Sequence, residues 1–494
     1  MKQETKTCQS CKNQFTIEPD DFNFYERIKV PPPTWCPECR LQRRLVRRNE
    51  RALYKRKCDL CNEEMIAMYQ AGAPFPVYCR SCWYSDKWDP LQYGKEYDFS
   101  RPFFSQFQEL QDVVPRVSLQ VDRCIDCDYV NQAADDKNCY LVFSTTNTED
   151  SVYSYRLINC RRTADSLIVW RSENCYEAVE CADSADLSFC KNCNDSLGLR
   201  FCYDLRNSQN CFLSSNRRNA SYLFRNEQLT RDEYLRRLQQ IDTGSYRKLE
   251  QYKQEFQELI KKSLHKSINS KNAVGSTGQT FNNVKNCRDC FYAANDEDCR
   301  FCLFVNNAKD SRDINNGCCV MELEYEVSTT GVNGYNVKLS SDTWPDARDL
   351  IYCDSCRNGV SNLFGCISLR GKSYCVLNKQ CTKEEYEKLT PRIIEHMSQI
   401  PYTDTKGRTY KFGEFFPPEI APYAYNETPA QDFLPLVKEQ ALALGCRWAA
   451  EEEKKYQSTI KTDDLSDHIK DVQDSIVNEV ISCAHDGKCQ ERCS

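Results

Sequence analysis

From about residue 122 a short pattern of polar and apolar positions repeats along the chain: Asn or Asp, then Cys or Ser, then an aromatic or aliphatic residue. It recurs as Asn138-Cys139-Tyr140, Asp150-Ser151-Val152, Asp165-Ser166-Leu167, Asn174-Cys175-Tyr176, Asp195-Ser196-Leu197 and Asn210-Cys211-Phe212. Short strands are predicted. Successive Asn-Cys pairs (Asn138-Cys139, Asn159-Cys160, Asn174-Cys175, Asn192-Cys193, Asn210-Cys211) are separated by 21, 15, 18 and 18 residues. That spacing is close to the coil length expected of a parallel β-solenoid, in which equivalent small side chains stack into ladders. Asn suits the tight corners, and Cys behaves there as a small buried hydrophobe.

The pattern occurs twice. CIDCDY and AADDKNC (Cys124 to Cys139) reappear as CRDCFY and AANDEDC (Cys287 to Cys299), and YLFRNEQLTRDEY (from Tyr222) as YCVLNKQCTKEEY (from Tyr374). An internal duplication is expected. Both copies end in a capping-box sequence, Thr230 to Glu233 and Thr382 to Glu385, which hands each strand stack over to a helix. After the first copy, helical spacing continues through Tyr234, Leu238, Leu249, Tyr252, Phe256 and Ile260, followed by a polar linker from Ser267 to Gly278.

Ahead of the repeats, eight cysteines form four CxxC knuckles: Cys8/Cys11, Cys36/Cys39, Cys58/Cys61 and Cys79/Cys82. Two knuckles supply four thiolates, the closed tetrahedral shell of a structural Zn²⁺, so two zinc ions are expected. Disulfides would require an oxidising compartment, but MKQETKTCQSCKN has no apolar export segment. A cytoplasmic location follows as the expectation, and no run approaches the length of a membrane span. Cys483, Cys489 and Cys493 are candidates for half of a third zinc site, with an unliganded tail as the alternative. Further CxxC pairs within the repeats (Cys124/Cys127, Cys190/Cys193, Cys287/Cys290, Cys299/Cys302, Cys353/Cys356) are read as ladder positions. Cys124/Cys127 with Cys287/Cys290 is the first combination to test for metal.

The fold class predicted is therefore mainly β with helical insertions: N-terminal treble-clef or zinc-ribbon fingers followed by duplicated parallel β-solenoid (β-helix) stacks. The expected division is finger 1 with a basic helix (1–57), finger 2 with an aromatic linker (58–121), solenoid copy 1 (122–226), a helical insertion and linker (227–283) and solenoid copy 2 (284–378). A mixed helical and irregular region (379–448) and an acidic helical tail (449–494) complete it.

Charge adds one candidate surface. The net charge is −6, yet residues 40–57 carry nine Lys/Arg against one Glu, while residues 451–494 carry eleven Asp/Glu against six Lys/Arg. A helix presenting Arg40, Arg43, Arg44, Arg47, Arg48 and Arg51 would lay guanidinium groups along a phosphate backbone, with Trp35 and Tyr54 beside it to stack on bases. RNA, DNA or a ribonucleoprotein is the partner so implied. The competing reading docks this helix on the protein's own acidic parts. The aromatic cluster Trp83, Tyr84, Trp88, Tyr93, Tyr97 and Phe99 is expected to pack finger 2 against the first solenoid coil.

The N-terminal features Cys8 to Cys11, Phe24-Tyr25, the proline run Pro31 to Pro33 and Cys36-Pro37-Glu38-Cys39-Arg40 resemble the zinc-ribbon domain of uncharacterised bacterial proteins. Over nearly its whole length, including YCRSCWYSDKWDPLQYG and GEFFPPEIAPYAYNET, the chain is similar to large zinc-ribbon proteins of candidate-phyla bacteria, some labelled CaiB/BaiF. The resemblance implies zinc fingers and brings no mechanism. It also implies that GKCQERC begins another ribbon, whose second knuckle lies beyond this sequence.

Enzymatic chemistry finds little footing. Four histidines, His265, His396, His468 and His485, fall in no catalytic signature. Gly371-Lys372-Ser373 fails the phosphate-loop pattern because Cys366 stands where its first glycine belongs. The function expected is a non-enzymatic zinc-binding scaffold that contacts nucleic acid or a ribonucleoprotein through the basic helix. The alternatives are a protein-interaction scaffold using the solenoid flanks and a β-solenoid lyase or hydrolase acting on carbohydrate.

Overall fold

A computed structural model describes residues 2–450 and 457–484. The chain forms two compact units, one of residues 1–120 with 266–449, the other of residues 121–265 with the described residues from 450 onward.

In the second unit, the solenoid runs through parallel strands from Val121 to Phe224 and closes on an antiparallel strand, Glu227–Gln228. Strand register gives the coil: Tyr140 pairs with Val152, Arg161 with Glu173, Glu173 with Ala185 and Ala185 with Leu197, always twelve residues on. Every third residue has left-handed backbone, as at Asp183 (φ 52°), Asp186 (55°), Phe189 (55°), Asn192 (57°) and Asp195 (52°). Each coil is thus a quadrilateral of four three-residue sides.

Within a side, the left-handed residue turns the corner, the next points inward and the third points out. Asn and Asp dominate the corners because, apart from Gly, they tolerate left-handed backbone best. The interior is narrow, so the inward row is small or aliphatic: Cys181, Ser184, Leu187, Cys190, Cys193 and Ser196 are all buried. The Asn-Cys separations seen in the sequence are multiples of three because every side shows the same triplet. They count sides, and the coil of about eighteen residues is corrected to twelve.

Inward polar groups satisfy the chain around them. Ser184 Oγ donates to the Ala182 carbonyl at 2.8 Å and accepts from the Ser196 N–H at 3.1 Å. Cys190 Sγ donates toward the Ser188 and Leu199 carbonyls at 3.4 and 3.5 Å. Outside, the corners are bridged by amide ladders such as Asn174 Nδ2 to Asp186 Oδ1, 2.9 Å. The helices Arg231–Leu238 and Tyr246–Lys262 then cover an aromatic corner, with Phe189, Phe201, Phe212 and Phe224 buried beside Tyr234 and Phe256. Among described residues of the acidic tail only short 3₁₀ turns occur, such as Thr462–Asp464, where a helix was expected.

The first unit holds both fingers and the second solenoid. Each finger opens with an antiparallel hairpin, Glu4–Thr7 with Gln14–Ile17 and Tyr54–Lys57 with Glu64–Ala67. The second solenoid begins at Ser270, so the segment expected to be linker is already strand. Its first coil holds eleven residues (Ser270↔Phe281), the next ones twelve up to Leu303↔Asn315, then thirteen from Arg312↔Tyr325 through Tyr325↔Lys338 and Lys338↔Ile351, and the last returns to twelve (Ser361↔Ser373). Thr382 caps the closing helix Lys383–Gln399 with a full capping box. Across the solenoid flank lie α1 (Pro19–Ile28) and α2 (Pro37–Leu45), the latter starting at the second knuckle of finger 1.

Candidate metal centres and the docked arginine helix

Each first knuckle sits in a hairpin turn made possible by a left-handed residue, Lys12 (φ 66°) and Asn62 (φ 62°). Each second knuckle is the entry of a helix, with Cys36 capping α2 and Cys79 capping Arg80–Trp83. Hairpin and helix bring the knuckles together as in a treble clef. The sulfurs of Cys8, Cys11, Cys36 and Cys39 all lie within 4.8 Å of one another, as do those of Cys58, Cys61, Cys79 and Cys82. Either group could hold a metal ion.

The donor chemistry fits a cation. Backbone N–H groups point at sulfur: Cys36 N to Cys8 Sγ at 3.3 Å, Cys79 N to Cys58 Sγ at 3.2 Å and Leu60 N to the same sulfur at 3.4 Å. Burial raises the Cys58 thiol, but the Cys61, Cys79 and Leu60 backbone donors hold it at about 7. Burial and three thiol neighbours push Cys82 up to about 12. One thiolate is thus favoured and the next opposed, the balance that a central dication reverses. Of the third candidate set, Cys483 is half-buried, while Cys489 and Cys493 lie outside the described residues.

The basic helix is not a surface. Relative exposure is 1% for Arg40, 2% for Arg43, 0% for Arg44, 4% for Arg47 and 6% for Arg48. Arg40 Nη2 and Arg44 Nη1 share Asp313, at 3.0 and 2.9 Å. Arg43 spans Glu326 (2.7 Å) and Glu414 (2.9 Å). Arg47 reaches Asp354 at 2.6 Å, where Arg116 also binds at 3.0 Å. Arg48 bonds Glu50 and Thr329. Aromatic faces complete the sheath, with Arg43 over Trp35 at 4.6 Å and Arg47 over Phe416 at 4.1 Å.

The nucleic-acid stripe expected from these arginines is therefore corrected: Arg40, Arg43, Arg44, Arg47 and Arg48 are buried and paired with carboxylates of the same unit, and they present no surface to a phosphate backbone. Arg51 alone of the six keeps a half-exposed side chain, paired with Asp432. Trp35 is buried, and the Tyr54 hydroxyl donates to Glu427, so neither is poised to stack on bases. Sequence reasoning missed Asp313, Glu326, Asp354 and Glu414 because isolated acids far along the chain carry no local signal.

Other expectations find their places. Trp83, Trp88 and Tyr97 are buried, with Trp83 under Arg357 and Arg370 at 5.4 and 4.7 Å. Finger 2 thus packs on the second solenoid, where the first coil was expected. Cys287 and Cys290 are interior ladder residues donating to the Lys285 and Arg288 carbonyls. Cys124 and Cys127 donate similarly to Asp122 and Ile125. Gly371 (φ 56°) turns a corner before the strand Ser373–Val376.

A shallow groove of about 870 Å³ runs along one side of the first solenoid. Arg171, Asp183, Asp195 and Asn207 line it from successive corners, with Glu173, Ala185 and Leu197 from the adjoining side. Arg171 and Asp183 pair at 2.7 Å. The walls are polar, of both charges, and repeat once per coil.

No protein-family model matches the chain, and no curated protein does. Among solved structures, a chain from Desulfovibrio desulfuricans G20 described as an acetyltransferase aligns at 9% identity over 57% of this chain and 71% of that chain, with a TM-score of 0.10. No helix among the described residues is long and apolar enough to cross a membrane.

Proposed function

We propose that the protein is a non-enzymatic scaffold in which each finger binds a structural Zn²⁺ and the first solenoid recognises an extended segment of a protein partner along its groove. Zinc is the ion that four thiolates in a closed shell suit best, and such a site leaves no position open for substrate. The observation that carries the partner reading is the groove itself: with Arg40, Arg43, Arg44, Arg47 and Arg48 buried, it is a solvent-facing surface whose polar side chains repeat once per coil.

Its chemistry favours peptide over nucleic acid. Three acids outnumber two bases, with Glu173, Asp183 and Asp195 beside Arg161 and Arg171, so an anionic backbone would meet like charge. Amide and hydroxyl side chains one coil apart, about 4.8 Å, match the hydrogen-bonding groups of an extended chain.

A photoreactive residue in place of Leu197, within the groove, tests this against the same residue in place of Tyr176, exposed elsewhere on the solenoid. The expected result is a defined protein adduct from position 197 alone, resistant to nuclease and lost in Ala185→Arg. Equal labelling from both positions, or adducts that nuclease digests, would contradict the proposal.

A further inference from the structure

The second solenoid steps from twelve-residue to thirteen-residue coils at a bulge, and two adjacent cysteines stand there. Asn306 pairs with Cys318, but Ala308 pairs with Met321, one residue further on. The extra residue is absorbed at Cys319 and Val320, both left-handed with φ of 66° and 60°. A bulge of this kind re-aims a side chain that strand alternation would send to the opposite face. Cys318 and Cys319 are both exposed, and their thiols interact with each other.

The backbone beneath them is fixed. The Val332 and Asn333 N–H groups donate to the Cys318 and Cys319 carbonyls at 3.0 and 3.1 Å. A Cβ at Gly331 would stand 1.8 Å from the Cys318 oxygen, so the neighbouring coil approaches as closely as only glycine permits. Among the described cysteines this is the one adjacent pair. Knuckle thiols are gathered in fours, and interior ladder thiols such as Cys353 and Cys366 are buried and donate to carbonyls.

We propose that Cys318 and Cys319 form a dithiol site that chelates a soft, thiophilic metalloid of the trivalent-arsenic class, separate from the two four-thiol clusters. Soft thiolate pairs select soft ions, and a second sulfur next to the first closes the chelate ring without reorganisation. The contact with Cys318 holds Cys319 at about 6, while the same contact and burial push the Cys318 thiol up, with the Arg48 charge opposing them. With an arsenical R–As=O, two S–H bonds break and two As–S bonds form. The oxygen leaves with both protons as water, and no electrons are transferred.

Phenylarsine oxide, added at one equivalent to the zinc-loaded full chain, tests this. Native mass spectrometry is expected to show one phenylarsenic group per chain with zinc retained, and a digest to place it across Cys318 and Cys319. Cys318→Ser should weaken binding by about a hundredfold, since the second bond is no longer intramolecular, while Cys381→Ser, at a half-buried thiol, should leave it unchanged. Zinc expelled in proportion to arsenic, or a digest placing the group on other cysteines, would overturn the proposal. The digest needs only the wild-type chain, so it decides even where a variant misfolds.

Discussion

Asp313 holds two buried guanidinium groups at once, Arg40 and Arg44, one turn apart on α2, and its own side chain is wholly buried. A buried pair gains little over a well-packed apolar contact, but removing one partner strands the other. Asp313→Ala is accordingly expected to destabilise the first unit by about 3–5 kcal/mol, read as a lowered urea midpoint, with Arg51→Ala changing little at its half-exposed site. Interior acids act differently. Asp296 and Glu324 lie inside the second solenoid, each with one oxygen unpartnered, and burial pushes their carboxyls up to about 9 and about 8. Both are neutral in the fold but ionise near pH 4 when unfolded. Their protons are therefore held by the folded chain and lost by the unfolded one between those limits, so stability falls as pH rises from about 4 toward about 8 to 9. Asp296→Asn should flatten that slope and raise the melting temperature at pH 8 more than at pH 5; an unchanged slope would refute the assignment. The sequence displays the charge on Arg40 to Arg51 and allowed its docking on acidic parts of the same chain, but it does not show which acids, hundreds of residues away, neutralise it.

The three-residue side is the unit from which both solenoids are built. Its sequence signature, a corner Asn or Asp followed by a small inward residue, revealed strands, stacking and the duplication without a structure. What it concealed was the coil: four identical sides make any multiple of three an equally good repeat, and only strand register selects twelve. The same blurring hid the start of the second copy, because Ser270–Val274 pairs with Phe281–Lys285 only eleven residues on, although its corner is again an asparagine, Asn272 (φ 54°). Backbone conformation makes the corner rule testable. Asn210 is left-handed (φ 52°), as is Gly198 one coil before it (φ 66°). Asn210→Val should cost about 1–2 kcal/mol because a β-branched residue is forced into that region, whereas Asn210→Gly should cost less. Urea unfolding of the two variants checks the order; equal losses would mean that the corner is not what selects Asn.

At the scale of the molecule, the fingers act as clamps. The knuckles of finger 1 fix the start of α2, and α2 carries arginines into the acidic coils of the second solenoid, joining residues some 270 positions apart in one buried network. The cysteine spacing made the fingers readable, because two CxxC knuckles per ion is a local code. The surface on which α2 docks was not readable, because it is assembled only when the solenoid winds. If metal sets the helix in place, its removal must loosen far more than the knuckles. The most direct measurement is elemental analysis of purified, reduced protein, coupled to hydrogen exchange before and after chelation. Two zinc ions per chain are predicted, with chelation exposing the amides of Pro37–Leu45 and of the coils around Asp313 and Glu326 together. Protein that carries no stoichiometric metal, or whose α2 amides stay protected once the metal is gone, would contradict the account.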